Sequence, residues 1–522
     1  MKLRKILCLA LALLMLGTLL IGCKKSEEGP GEGGSSDVAE SNETPSETQS
    51  ETETNRWGEV VYNDPIPEEV NYGGQEVTMY MRDSERYYRE FWKEDHSGNL
   101  DAQIYARNMK LQTDLGVTMK IERGPTMLGG GQGLVDFNNT IQTSILASDG
   151  SIDIVVHYAL YGASASTRAL LSNLLDEDFT YLNLDRPYWN QNHQKAATLE
   201  AGLYYGLGDA NLSLYDRLLV LHYNETMAEE YGIPDLYQMV LEGNWTYEEM
   251  LKIIRDFADY EDLDDSGTRT ADDLYGLVSC IWSEAQDGFL SAWELPMVLE
   301  NDGVYSWNVD GNEKLDTAAE KLKTLFHLPA GYLCKDTGVS ANKFADGTTL
   351  MSLDILYRND ARQEQFDSMS DSRGLLPLPK YDADQENYHS GTQSAYNIMC
   401  VPASSAVDKE MVSAVLEDLN YESYNSVRPY YFQFICRARY VENSVSVKMF
   451  NLILDSVDFD VMTVFNDHLN EPIWMFRYAV CDVDDVSLGG NATTMERAWS
   501  EGADAYNQAL LEFQLWASTS NN

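Results

Sequence analysis

From residue 75 onward the apolar positions alternate between a period of two and a period near 3.6. Residues 76–82 (EVTMYMR) predict a strand. Over 101–115, Ile104, Leu111 and Leu115 fall on one helical face, and Gly116 ends the helix. Residues 117–121 predict a second strand, and Leu134, Phe137, Ile141 and Ile145 a second helical stripe. The run 151–156 (SIDIVV) is almost continuously apolar, as in a parallel-sheet strand buried on both faces. This β-α-β-α-β order predicts an α/β lobe whose ligands gather at the carboxyl ends of the strands.

The pattern continues downstream. Residues 218–223 (LLVLHY) predict a strand. Thr246 with Glu249 forms a capping box for a helix buried through Met250, Ile253, Ile254 and Phe257. Residues 317–327 are amphipathic, 350–356 and 396–401 are strand-like, and a helix begins near Asp408. The last ~90 residues are mainly helical, with stripes such as Met449, Leu452 and Leu454. No internal repeat is visible.

The beginning of the chain follows a different logic. Lys2, Arg4 and Lys5 precede an apolar run from Ile6 to Ile21, the layout of a secretory signal and short for a spanning helix. It closes with Leu20-Ile21-Gly22-Cys23, which resembles a bacterial lipobox, so 1–22 is expected to be removed and Cys23 acylated, palmitate-type chains anchoring the protein. Residues 24–55 are polar apart from Val38 and Ala39 and cannot bury enough surface to fold, so 23–56 is expected to be a lipidated cysteine on a disordered acidic tether.

Composition narrows the function. The 522 residues hold 84 acidic and 37 basic side chains, a net charge of −47. With +3 in residues 1–23 and −7 in residues 24–55, −43 belongs to the folded body. Nucleic acid, bound by neutralising phosphates, and an anionic membrane surface are both excluded as partners; the membrane enters only through the lipid anchor. Seven cysteines, five beyond Cys23 and without CxxC pairs, give neither a disulfide framework nor a zinc site. No HExxH, GxSxG or P-loop pattern is present, and the glycines of 129–133 lack the Lys-Ser/Thr of a phosphate loop. No catalytic residue is assigned and no enzyme is expected. A glycosidase carboxylate pair is not informative among 84 acids.

One stretch matches metal chemistry. Residues 262–273 align with a twelve-residue calcium loop, with Asp262, Asp264 and Ser266 at positions 1, 3 and 5, Gly267 at the tight turn, Thr268 at 7 and Asp273 at 12. Alternating oxygen ligands would wrap a hard cation, although Asp at position 12 closes the shell less readily than Glu. The other reading is an acidic loop without metal. No cofactor is required; a structural calcium is the one candidate.

Several ordered landmarks resemble the carbohydrate-type extracellular solute-binding proteins (family 1) of bacterial ABC importers: Thr113-Asp114-Leu115-Gly116-Val117, Asp153-Ile154-Val155, and Gly208-Asp209 before Leu221-His222-Tyr223-Asn224. Further on come Asn244-Trp245-Thr246, Phe344-Ala345-Asp346-Gly347 and Leu376-Pro377-Leu378-Pro379. Glu225 stands where the family usually has Lys, and the chain is longer than compact members, with additions expected around 84–100 and 425–470. The resemblance implies an α/β, two-lobed periplasmic-binding-protein-like fold with crossings near 214–224, 390–400 and 430–445. The N-lobe would comprise 57–215 plus 395–435, and the C-lobe 216–394 plus 436–522. It also implies a monomer that captures a sugar, an oligosaccharide above all, at the outer face of a Gram-positive membrane and delivers it to the permease subunits. A peptide or other metabolite, or a surface glycoside hydrolase, is the alternative.

Sugar recognition needs flat aromatic faces and planar hydrogen-bonding groups, and the chain has 32 Tyr and 10 Trp, a supply that would serve a core equally. Strand ends nominate Arg82, Asp83 and Ser84, then His157, Tyr158 and Tyr161. The segment between the lobes adds Asp209, Asn211, Asp216 and Arg217. The resemblance adds Tyr357 as a stacking aromatic and Trp474 as one that closes the cleft. Trp245, Trp499 and Trp516 are read as structural.

Overall fold

The computed structural model describes residues 60–93, 98–127, 131–257, 270, 273–357, 364, 366–433, 444–481 and 494–519. The signal segment, Cys23, the tether and calcium-loop residues Asp262, Asp264, Ser266 and Thr268 lie outside the described residues.

Strands β1 (Gln75–Arg82), β2 (Val117–Gly124) and β3 (Ile154–Tyr158) open the fold. Next come β4 (Leu219–Asn224), β5 (Tyr275–Cys280), β6 (Val298–Asn301) and β7 (Val304–Trp307). The last four are β8 (Gly331–Cys334), β9 (Thr349–Ile355), β10 (Arg373–Leu376) and β11 (Asn397–Cys400). They form one sheet of order β11-β3-β1-β2, a second of order β10-β4-β9-β5-β8, and the small hairpin β6-β7.

In the first sheet β1 pairs in parallel with both β2 and β3, while β11 returns antiparallel, Asn397 opposite Tyr158. Alternation along β1 sends Val77, Met79 and Met81 to one core and Tyr80 to the other, so the strand is covered on both faces. Each such side chain contributes about 2 kcal/mol by leaving water. The helix Asn99–Leu115 covers one face through Leu111 and Leu115 and ends at Gly116, whose φ of 61° only glycine adopts without strain. The helix Lys409–Glu422 packs against it, capped at its start by Asp408, whose carboxylate accepts the Met411 N–H.

The second sheet is mixed: β9 pairs antiparallel with β4 and parallel with β5, which also pairs in parallel with β8. The helix Tyr247–Asp256 lies beside β5; the Thr246 hydroxyl accepts the Glu249 N–H at its start, as the capping signal predicts. The other helices described by pattern are seen as Gly131–Ala147 and Glu313–Phe326, and the end of the chain is helical over Ser444–Asp455, Ile473–Cys481 and Met495–Ala517.

Among the described residues, two segments run between the sheets. The first, 206–218, begins as a bridge to β11 (Gly206–Met399) and ends as one to the second (Leu218–Thr392). The second, 391–396, lies alongside it: Leu219 N–H donates to Gly391 O and Gln393 N–H to Arg217 O. The crossing expected near 430–445 falls mostly outside the described residues.

Candidate functional site at the junction of the two sheets

Both sheets point their carboxyl edges at the same place. Arg82 is the last residue of β1, Tyr158 the last of β3, and Asn397, opposite Tyr158, the first of β11. The Arg82 guanidinium lies between two rings, 3.5 Å from the centroid of Tyr87 and 4.0 Å from that of Tyr158. Its Nη2 donates to Asn397 Oδ1 at 3.0 Å and to Ala395 O at 3.4 Å. Arg217, just before β4, approaches from the crossing; its Nη2 donates to the Tyr87 hydroxyl at 3.4 Å, and its guanidinium is 5.5 Å from the same ring. Both arginines are 1% exposed. Burial and the neighbouring Arg217 charge hold the Arg82 pKa below its usual value.

The second sheet contributes the segment after β5. Turns at Ile281–Ser283 and Ala285–Asp287 flank Glu284, whose φ of 61° is left-handed for a non-glycine residue, a cost of order 1–3 kcal/mol tolerated where the surroundings fix it. The Glu284 carboxyl is pushed up by burial and drawn back by Arg477. Arg477, on the helix Ile473–Cys481, donates through Nε to Asp287 Oδ1 at 3.0 Å and through Nη2 to Asp287 Oδ2, with Glu284 3.9 Å away. Its guanidinium lies 4.1 Å from the Trp474 ring, and Trp474 meets Trp282 edge to face at 6.4 Å. Tyr161 stands edge-on to Tyr158 at 5.3 Å, its hydroxyl pushed up to about 12 by burial and by Glu471, Glu284 and Asp467. Gln393 Nε2 donates to Ser283 O, tying the second crossing to this turn.

Of the residues predicted from sequence, Arg82, Tyr158, Tyr161, Arg217 and Trp474 are thus brought together. Others have structural occupations. His157 is fully buried, with Nδ1 on Tyr158 O and Nε2 on Asn138 Oδ1, both at 3.0 Å, and burial lowers its pKa to about 4. It faces the helix Gly131–Ala147, because side chains alternate along β3 and only Tyr158 ends at the edge. Asn211 spends its amide on Gly208 N and Asn397 O. Asp209 pairs with Arg428 at 2.8 Å and accepts the Tyr215 hydroxyl, and Asp216 accepts the Tyr431 hydroxyl. Asp83 is exposed, 3.8 Å from Arg123. Ser84 begins the turn Glu85–Tyr88 through its carbonyl, and Tyr357, after β9, is half-buried, its N–H on Asp216 O. In the candidate calcium loop, Asp273 is buried and its carboxylate accepts the Thr270 N–H at 2.6 Å.

Sequence reasoning missed Tyr87, Glu90, Trp282, Glu284, Asp287 and Arg477. Glu90 is buried, accepts the Ser213 N–H, the Ser213 hydroxyl at 2.9 Å and Asn397 Nδ2 at 2.5 Å, and burial pushes its carboxyl up to about 7. Tyr87 and Glu90 sit in the addition expected at 84–100. No local motif marks them; an acid and an aromatic pair directly after a strand-end arginine was the available signal.

No protein-family model and no curated relative matches the sequence. Solved structures do. An ABC transporter solute-binding protein from Thermotoga lettingae TMO, bound with α-D-tagatose, superposes with a TM-score of 0.51 at 13% identity, over 84% of this chain and 100% of that one. A cyclo/maltodextrin-binding protein complexed with maltotetraose gives 0.51 at 13% identity, over 83% and 97%. The chain therefore has the two-lobed α/β fold of the ABC-transporter solute-binding proteins.

Proposed function

We propose that this protein is the solute-capturing component of an ABC importer and that its solute is a carbohydrate, an oligosaccharide above all. The observation that carries the reading is the set of aromatic rings and guanidinium groups where the carboxyl edges of two sheets converge: Tyr158, Tyr161, Trp282 and Trp474 among Arg82, Arg217 and Arg477. Rings stack on the C–H faces of a pyranose, and planar donors and acids bond its hydroxyls. Both solved structures described above, which share this fold, were bound to sugars. Two lobes joined by crossing segments close on a ligand by bending at the crossings, and the closed form is what permease subunits would engage.

The chain's own residues bind and orient the solute and carry out no bond-breaking step. Anchoring through acylated Cys23, with 24–56 as tether, would hold the monomer at the outer face of a Gram-positive membrane. Cys23→Ala should release the protein or leave an unprocessed precursor; unchanged detergent partitioning would contradict the anchor. The ligand class is tested by a thermal-shift panel of neutral oligosaccharides, acidic oligosaccharides and peptides. A ligand at a hundred times its dissociation constant adds about 2.7 kcal/mol to stability. A response to peptides alone would overturn the carbohydrate assignment and leave capture for transport standing.

A further inference from the structure

Buried charges in proteins are paired, because an unpaired one costs several kcal/mol of lost hydration. Arg82 and Arg217 break this rule together. Both are 1% exposed and share the Tyr87 ring. Among the described residues neither has a carboxylate within ion-pair distance. Arg82 Nε and Nη1 and Arg217 Nε are buried donors without an acceptor among the described residues. The nearby acids are committed elsewhere. Glu90 accepts from Ser213 and Asn397, Asp287 from Arg477, Asp209 from Arg428 and Tyr215, and Asp216 from Tyr431. Glu284 feels the Arg217 charge but lies nearer Arg477, 3.9 Å away.

The arrangement also controls where Arg82 can be approached. Tyr87 and Tyr158 cover both faces of its guanidinium, and Nη2 is taken by Asn397 and Ala395. The remaining N–H groups, on Nε and Nη1, are buried in this arrangement of the sheets and donate in the plane of the guanidinium, the geometry in which a carboxylate or sulfate accepts. A chain of charge −43 in its folded body leaves two such cations, among the described residues, without a carboxylate at ion-pair distance where its sheets converge. The overall field acts weakly here, since salt screens it beyond about 8 Å, while contacts in a buried site are screened much less.

Resting on the carbohydrate assignment above, we infer that the captured saccharide is anionic: a uronate carboxylate or a sulfate ester of the sugar is held by Arg82 and Arg217. Hydroxyls could accept the same N–H groups but would leave both guanidinium groups without a directly paired anion.

The test is isothermal titration of the full chain with paired oligosaccharides: an oligogalacturonide and its carboxyl-reduced neutral counterpart, and a κ-carrageenan oligosaccharide, which carries sulfate esters and no uronate, with its desulfated neutral form. The acidic member of at least one pair should bind at least about tenfold more tightly, the range expected for hydrogen bonds to a charged group. Which pair responds tells carboxylate from sulfate. Arg82→Gln and Arg217→Gln should each bring the two members of that pair to equal affinity, with folding checked by the melting transition; Arg217→Gln, on the crossing, is the variant to rely on if Arg82→Gln fails to fold. Equal binding within both pairs, or tighter binding of the neutral members, overturns the anionic assignment and leaves the carbohydrate reading intact. Binding of a non-sugar dicarboxylate such as succinate, lost in the arginine variants, while no saccharide binds, keeps the anion site and overturns the carbohydrate reading. Failure of all of these ligands to bind overturns both.

Discussion

Trp474 and Trp245 illustrate how differently two tryptophans of one chain are used. Trp245 is fully buried, its indole N–H donating to Pro377 O at 3.0 Å. Trp474 is half-buried, with Arg477 against its ring and Trp282, 39% exposed, at its edge. Trp245→Ala should lower stability by about 3–5 kcal/mol, the range for deleting a large buried aromatic, measured by denaturant unfolding. Trp474→Ala should change stability little and weaken saccharide binding by about 1–3 kcal/mol, measured by titration. An unchanged dissociation constant would remove Trp474 from the site. The strand-end rule found Arg82 and Tyr158 because each ends a strand whose pattern is plain. It also nominated His157, since a one-residue step decides whether a side chain reaches the edge or the core face. Glu284, Asp287 and Arg477 could not be joined from sequence, being about 190 positions apart and meeting only through packing of the last helices.

Elements with a plain apolar pattern or a cap were readable, and those without one were not. The strands seen as β1, β2, β3, β4, β9 and β11 and the helices around Thr246 and Asp408 follow from periodicity and caps. Strands β8 and β10 are four residues long, and β5 carries Gly276 and a buried Ser279, so neither alternation nor an apolar run marks them. Asn224 shows what one junction residue does. It ends β4, its Oδ1 accepts the Met227 N–H at 2.9 Å to cap the helix Glu225–Glu230, and its Nδ2 donates to Asp371 at 2.8 Å. Asn224→Ala should destabilise by about 1–2 kcal/mol, with more of the loss recovered by Ser than by Val. Glu225, in the place of the family's usual Lys, suits the positive end of that helix and accepts the Tyr237 hydroxyl at 2.5 Å. For the loop 262–273, calcium held by Asp262, Asp264, Ser266, Thr268 and Asp273 predicts a melting temperature raised by calcium and lowered by chelator. The difference should be absent in Asp262→Ala. A wild-type melt indifferent to calcium would make it a loop without metal.

The whole protein should lose stability as pH rises from about 6.5 to 8. Burial pushes the carboxyls of Glu90 and Asp467 up to about 7 and that of Asp418 to about 8. Each binds its proton more tightly folded than unfolded, so the folded state carries more protons in this window and stability falls with pH. Below about 6.5 the sign is contested, because His157 and His193, lowered to about 4 and about 3, stay neutral when folded and protonate when unfolded. Unfolding free energies at pH 6.5, 7.25 and 8 check the direction, and Glu90→Gln should flatten the slope; a rise in stability across the window would contradict these environments. The charge of the folded body adds in the same direction, since fewer ionised carboxylates repel one another at lower pH. The central claim, capture of a saccharide without chemistry, is met most directly by titrating the purified protein calorimetrically with the oligosaccharide that most raises its melting temperature and then recovering that sugar for mass spectrometry. Binding should saturate at one site per chain with every sugar molecule recovered intact; cleaved sugar from pure protein, or no saturable binding by any saccharide, would overturn capture without chemistry.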